Sequence, residues 1–305
     1  MLRSWIDRVR AALAPKNRIG LAIGRDYIGV AQLTAMDEGW QVQHLAHTKL
    51  GERLFSRTPT PQTATSLANA IAPLVGDLKQ QYVPVHVSLP DAAMRVTTFE
   101  LDQLPASFAE QTAFTAFRFS SDDDARHVCA SQVLGRDGDK HLLLGAALDE
   151  AWHRCIAEAL QQAGVVAWSL GASSLRLFNR YYDALAPTSG ALVLAASDSW
   201  ALLLWDTQRR VRYARARWRT SSKDHADIAT DIERSILAYV HGHPDNAITH
   251  IYVSAGAETA VLGAALDARL REPCTQLSND AGLRFANPVE QQTSAPLSLA
   301  AALER

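Results

Sequence analysis

Short apolar runs and amphipathic stretches follow one another along the 305 residues in an order that occurs twice. Arg18 to Gly24 reads as a strand, Arg25-Asp26 as a turn, and Tyr27 to Leu33 as a second strand. Gly24 beside a polar pair, between two apolar runs, is hairpin chemistry. A third strand is predicted at Trp40–Thr48, after the turn signal Asp37-Glu38-Gly39. Thr63 to Lys79 carries Leu67, Ala70, Ile71, Leu74 and Leu78 on one face and is predicted helical. Val83 to Leu89 follows as a strand and stops at Pro90.

A smaller module is predicted from about Asp91 to Gly164. It has strands at Arg95–Leu101, His127–Leu134 and His141–Leu148, and helices at Ala106–Phe119 and Asp149–Ala163. Val165–Leu170 is a strand and Ala172–Leu185 a helix. The breaker cluster Pro187-Thr188-Ser189-Gly190 marks the lobe boundary. Beyond it the order restarts: strands at Ala191–Ala196, Trp200–Asp206 and Arg210–Trp218, a helix at Asp224–His241, a strand at Ile248–Ser254 and a helix near Thr259–Leu270. Strand, strand, strand, helix, strand therefore occurs twice. A Rossmann unit would pass from its first strand straight into a helix. The expected organisation is an N-terminal helix (1–16), a first lobe (17–187) containing the insertion (about 91–164), and a second lobe (188–305).

In the N-terminal segment Leu2, Trp5, Ile6, Val9 and Leu13 recur at helical spacing, with Arg3, Asp7, Arg8 and Arg10 elsewhere around the turn and Pro15 ending it. Trp5, Ile6, Arg8 and Arg10 suit a basic amphipathic helix on a membrane surface or a partner. A helix packed on its own domain fits equally. The charges in this segment break the apolar core a signal peptide needs, and no apolar run reaches the roughly 18 residues of a membrane span.

At 48% hydrophobic and 20% charged residues the chain can bury a core, and a net charge of -2 imposes no global field toward nucleic acid or membrane. Cys129, Cys155 and Cys274 are the 3 cysteines. Their odd number, with no C-x-x-C pair, points to a reducing compartment. The chain is expected in the cytoplasm.

Four stretches carry a family likeness. They are Ile19 to Gly24 with Val30 to Leu33; Val87-Ser88-Leu89-Pro90 with Phe99-Glu100-Leu101 and Leu104-Pro105; Ser131 to Gly135 with Leu142 to Ala147 and Ala163-Gly164-Val165; and Asp231 to Ser235 with His243-Pro244 and Ile251 to Gly256. In order and spacing they resemble the PilM-like proteins of type IV pilus assembly, on the side of the MshI-type members that serve mannose-sensitive haemagglutinin (MSHA) pili. The likeness implies an α/β, two-lobed actin-like (ribonuclease H-like, duplicated) fold with a small inserted α+β subdomain. It also implies a peripheral place at the cytoplasmic face of the inner membrane. There the cytoplasmic tail of a bitopic PilN- or MshJ-like protein would dock as an extended peptide beside the insertion, linked onward to the pilus motor ATPase.

In that superfamily each lobe offers an Asp-x-Gly hairpin, whose glycine admits phosphate and whose aspartate holds Mg²⁺. Here the first aspartate position is Ala22; Gly24 is present but Arg25 follows it. The second pattern falls on Ala195-Ala196-Ser197, with Asp198 three places late, and the adenosine turn is reduced to Ala255-Gly256-Ala257. A cleft without carboxylates has no anchor for the metal that phosphoryl transfer uses. No cofactor and no catalytic residue is therefore expected. Gly24, Arg25, Ser254 and Gly256 would be a vestigial nucleotide cleft: plain turns, or a weak metal-free ATP site helped by Arg25. An active ATPase or sugar-kinase relative using Asp26 and Asp198 is the alternative.

Arg209, Arg210, Arg212, Arg215, Arg217, Arg219 and Lys223 precede the next acid, Asp224, with Tyr213 and Trp218 between them. Arg215, Arg217 and Arg219 share one strand face. A solvated face, an acidic protein or lipid surface, and single-stranded nucleic acid are the three readings; nucleic acid is not expected as a partner. Asp122-Asp123-Asp124 reads as a solvated turn. His127 with Cys129, His153 with Cys155, and His241 with His243 lack the convergence a metal needs.

Overall fold

In the computed structural model the first sheet grows from a meander. β1 (Asn17–Ile23), β2 (Tyr27–Met36) and β3 (Gly39–Lys49) pair antiparallel in sequence. The described residues are 17–37, 39–76, 83, 85–120, 126–219, 225–277, 283–286, 297 and 301–303. Trp5, Ile6, Arg8, Arg10 and Asp122–Asp124 lie outside them.

α1 (Pro61–Val75) starts at a reciprocal cap between Thr60 and Thr63, with Pro61 in the first turn, where its missing N–H is no loss. It buries Ala64, Leu67, Ala68, Ile71 and Val75. β4 (Val85–Leu89) then lies parallel to β1, and β8 (Ala167–Ala172) parallel to β4. Between β4 and β8 runs the insertion: β5 (Met94–Leu101), α2 (Phe108–Ser120), β6 (His127–Asp137) and β7 (Lys140–Asp149), with strand order β5-β7-β6.

The helix α3 (Glu150–Gln162) follows, capped by the Asp149 carboxylate on the N–H groups of Ala151 and Trp152. Sequence reading places this helix in the insertion. It belongs instead to the first lobe, because its apolar face (Trp152, Cys155, Ile156, Ala159 and Leu160) packs with Leu67 and Ile71 of α1 and Val85 and Val87 of β4. The insertion is thus a three-stranded sheet backed by one helix. α4 (Ser173–Tyr181) crosses to the second lobe.

There β9 (Gly190–Ala195), β10 (Ser199–Trp205) and β11 (Val211–Trp218) form a second meander, followed by α5 (His225–Gly242), β12 (His250–Ser254), α6 (Thr259–Asp267) and β13 (Cys274–Gln276). The sheet orders, β3-β2-β1-β4-β8 and β11-β10-β9-β12-β13, are the same permutation. Every residue of β9 and β10 is buried, because one sheet face carries α5 and α6 and the other packs toward α4 and the first lobe.

The second lobe does not keep the whole C-terminal stretch. β14 (Leu283–Phe285) pairs parallel with β3, and Ala302 and Leu303 share a core with Ala31, Leu33, Val42 and Leu45. Apolar area left open at the β3 side of the first sheet is covered by the chain's own end. Among the described residues no helix is long and apolar enough to cross a membrane.

Candidate functional site

In an open α/β sheet ligands bind beyond the carboxyl ends of the strands, where strand order reverses. Here those ends are β1 and β4 in one lobe and β9 and β12 in the other, and those of β1, β4 and β9 meet around one small cavity. Among the described residues the chain's own side chains pack closely there. A cavity of about 10 Å³ is left among Ala22, Ser88, Asp91, Leu194, Asp198 and Leu297, about the room of one water.

Ala22 shares a buried apolar cluster with Leu194, Ala201 and Leu297, so the position of the expected aspartate is packed against the opposite lobe. Gly24 has a steric reason to be glycine: a Cβ there would lie 2.1 Å from the ring of Tyr27, which folds back over the turn. Burial first, then the nearby Asp198 and Asp26, push the Tyr27 hydroxyl well above its ordinary range.

Arg25 donates its backbone N–H to Oδ2 of Asp198 at 2.5 Å and holds its guanidinium 5.0 Å from the centre of the Trp218 ring. Phe55 stacks on the same indole at 6.1 Å and lies against Trp152 at 4.5 Å with the rings tilted by 44°. Phe55 has φ +57, one of the two non-glycine residues in left-handed backbone among the described residues.

Arg219 ties the second lobe's elements together. Its Nη1 donates to the Ala196 carbonyl at 2.7 Å and to Oε2 of Glu258 at 2.9 Å. Nε2 of His225 lies 3.0 Å from the same carboxylate oxygen. Burial acts to raise the Glu258 carboxyl, but the hydrogen bonds and charges of Arg219 and His225 outweigh it and hold it below the usual range. Gly256 opens the adjoining turn with φ +55, and its carbonyl accepts from Thr259. Ser254 is buried, its Oγ without a partner among the described residues.

Asp91 sits behind this contact. It accepts from the N–H of Ser174 at 2.9 Å and from that residue's hydroxyl, which caps α4 from outside the helix. Burial pushes its carboxyl up to about 6, against the lowering effect of the Ser174 bonds. Among the described residues no three His, Cys, Asp or Glu side chains come together as a metal group.

The arginine strand has another use. Arg212 reaches Glu100 and Asp137 at 2.6 Å each, Arg210 reaches Asp206 at 2.7 Å, and Thr98 donates to the Val211 carbonyl at 2.9 Å. The Arg212 and Thr98 bonds, with those of Arg210 to the Arg136 carbonyl and to Asp137, weld the insertion to the second lobe, while Arg210–Asp206 stays within that lobe. Arg215, Arg217 and Arg219 do not form an open cationic face: Arg215 donates to Ser235 and Arg217 pairs with Asp231, both on α5, while Arg219 is buried.

Open space lies elsewhere. A groove of about 760 Å³ runs between β6 and the β8–α4 segment. Both strands are sheet edges, β6 at the end of β5-β7-β6 and β8 at the end of the first-lobe sheet. Along the groove lie Val128, Ala130, Gln132 and Leu134 of β6, and Leu170 and Ala172 of β8. Trp168 in β8 and Val166 just before that strand are 77% and 80% exposed. Sequence reading misses them because an apolar strand reads as core on both faces. A Trp set on an exposed edge is the available signal.

No family model matches the sequence, and no curated protein matches it by sequence. Among solved structures the chain is similar to a chain of a PilM-PilN type IV pilus biogenesis complex, with TM-score 0.78 and 15% identity over 94% of this chain and 97% of that one. A Bacteroides thetaiotaomicron protein with actin-like ATPase fold and unknown function aligns with TM-score 0.53 and 11% identity, over 86% and 91%. The cytoplasmic domain of EpsL, an inner membrane component of the Vibrio cholerae type II secretion system, gives 0.51 and 11%, over 95% and 96%. The chain has the actin-like ATPase fold.

Proposed function

We propose that this chain is a non-catalytic, cytoplasmic assembly component of a type IV pilus platform, peripheral to the inner membrane and of the MshI type. Its groove takes the extended cytoplasmic tail of a bitopic PilN- or MshJ-like protein. The carrying observation is that two strand edges face one open groove, while between the lobes the turns of Arg25 and Asp198 touch and leave a cavity of about 10 Å³ among the described residues. Edge strands present unpaired N–H and C=O groups to an extended peptide, and the apolar groove residues select alternate side chains. The solved PilM-PilN complex, of the same fold, supports the choice of partner. A contact with the motor ATPase is part of the same reading.

The test is titration of a fluorescent peptide, copied from the cytoplasmic tail of a PilN- or MshJ-like protein, against wild type and Val128→Arg. Binding that the substitution weakens at least about tenfold, close to 1.4 kcal/mol, is expected. Equal binding by both proteins, or Mg²⁺-dependent ATP turnover by the wild type, overturns the reading.

A further inference from the structure

One end of the groove is closed by the β10–β11 turn, and the residue there is unusual. Arg209 has φ +57. Its N–H donates to the Asp206 carbonyl at 2.8 Å, and the Asp206 N–H donates to the Arg210 carbonyl at 3.2 Å. In hairpin turns of this kind the left-handed position is the natural place for glycine, which has no Cβ to strain. An arginine held there in strained backbone has a side chain that the molecule uses.

That side chain lies at the groove, where Nη1 donates to the Tyr182 carbonyl at 2.9 Å and the guanidinium sits 5.1 Å from the Tyr182 ring centre. Its neighbours are neutralised: Arg210 is paired with Asp206, and Arg212 with Glu100 and Asp137. Among the described residues no carboxylate pairs with Arg209. A guanidinium has five N–H donors in a planar fork that matches a carboxylate.

Resting on the groove reading above, we propose that Arg209 selects an occupant carrying an Asp or Glu side chain at this end of the groove. The surface is then a polar clamp at one end of an apolar strand-docking track, and its partner is an extended segment of alternating apolar residues with one acid in register.

The probes are labelled nine-residue peptides, acetylated and amidated, of alternating Leu and Ser with a single Asp placed at each Ser position in turn, beside Asn twins. On wild type one placement binds about tenfold tighter than its twin, the size of a charge-assisted hydrogen bond. Arg209→Gly removes that preference while its melting temperature stays level or rises, since glycine suits the turn. Arg209→Lys keeps only part of the preference. If Arg209 merely caps α4, Arg209→Gly lowers stability and weakens both twins alike, and the proposal falls. A preference that survives Arg209→Gly also overturns it, with the groove reading intact. If Val128→Arg leaves both twins bound as in wild type, the groove reading and the proposal fail together.

Discussion

The backbone N–H of Arg25 and the carboxylate of Asp198, 173 residues apart, meet at 2.5 Å across the two lobes. Each belongs to the turn between the first two strands of its own lobe's meander. The two turns touch each other, and the Arg25 guanidinium lies over the Trp218 ring beside them.

Asp198→Ala leaves that N–H without its acceptor and also removes the Ser199 hydroxyl's acceptor. A loss of about 2 kcal/mol in urea unfolding is expected. Ala22→Asp, which restores the superfamily's acid, places a charge in the apolar cluster with Leu194, Ala201 and Leu297. It should lower the melting temperature without creating a Mg²⁺-dependent shift. A variant stabilised by Mg²⁺-ATP would contradict the closed cleft.

Asp91 makes stability depend on pH in the direction opposite to most carboxylates. Its folded carboxyl titrates near 6 against an ordinary 3.8, so the folded state binds the proton more tightly than the unfolded one. Its contribution favours folding less as pH rises from about 4 to 6, then levels off as a fixed penalty on the order of 3 kcal/mol. Asp91→Asn should keep the Ser174 bonds, flatten that slope, and raise stability at pH 7.5. Denaturant midpoints measured from pH 4 to 8 decide it.

Arg212, with its side chain 4% exposed, holds Glu100 and Asp137 of the insertion to the second lobe. Arg212→Ala should cost roughly 1 kcal/mol, because its direct partners Glu100 and Asp137 are half exposed and buried Asp206 keeps Arg210 as its countercharge. Hydrogen exchange should quicken first in β5 and the β6–β7 turn. Uniform quickening over the whole chain would mean that the network is not what docks the insertion.

Gly24→Ala and Gly190→Ala probe one device used in both lobes. A Cβ at Gly24 would meet Tyr27 at 2.1 Å, and one at Gly190 would meet Trp205 at 2.3 Å. Each should destabilise by about 2 kcal/mol through overpacking. Pairing Gly24→Ala with Tyr27→Ala should recover part of the Gly24→Ala loss, as a double-mutant cycle would show.

Local pattern was enough for the repeated meander, its helices and the inserted strands, since period and turn chemistry act within a few residues. Gly24, Arg25, Ser254 and Gly256 were recognisable as turn or strand-end residues. What those positions touch was not readable. That Ala22 packs with Leu194 and Leu297, and that Arg25 meets Asp198 and Trp218, depends on residues far apart in sequence meeting across lobes. The membership of α3 and the return of the C-terminal strand to β3 were hidden for the same reason. So were the pairing of the arginine strand and the two open edges at β6 and β8. An apolar or cationic side chain carries the same letter whether a partner covers it or solvent does, and only the packed chain decides which.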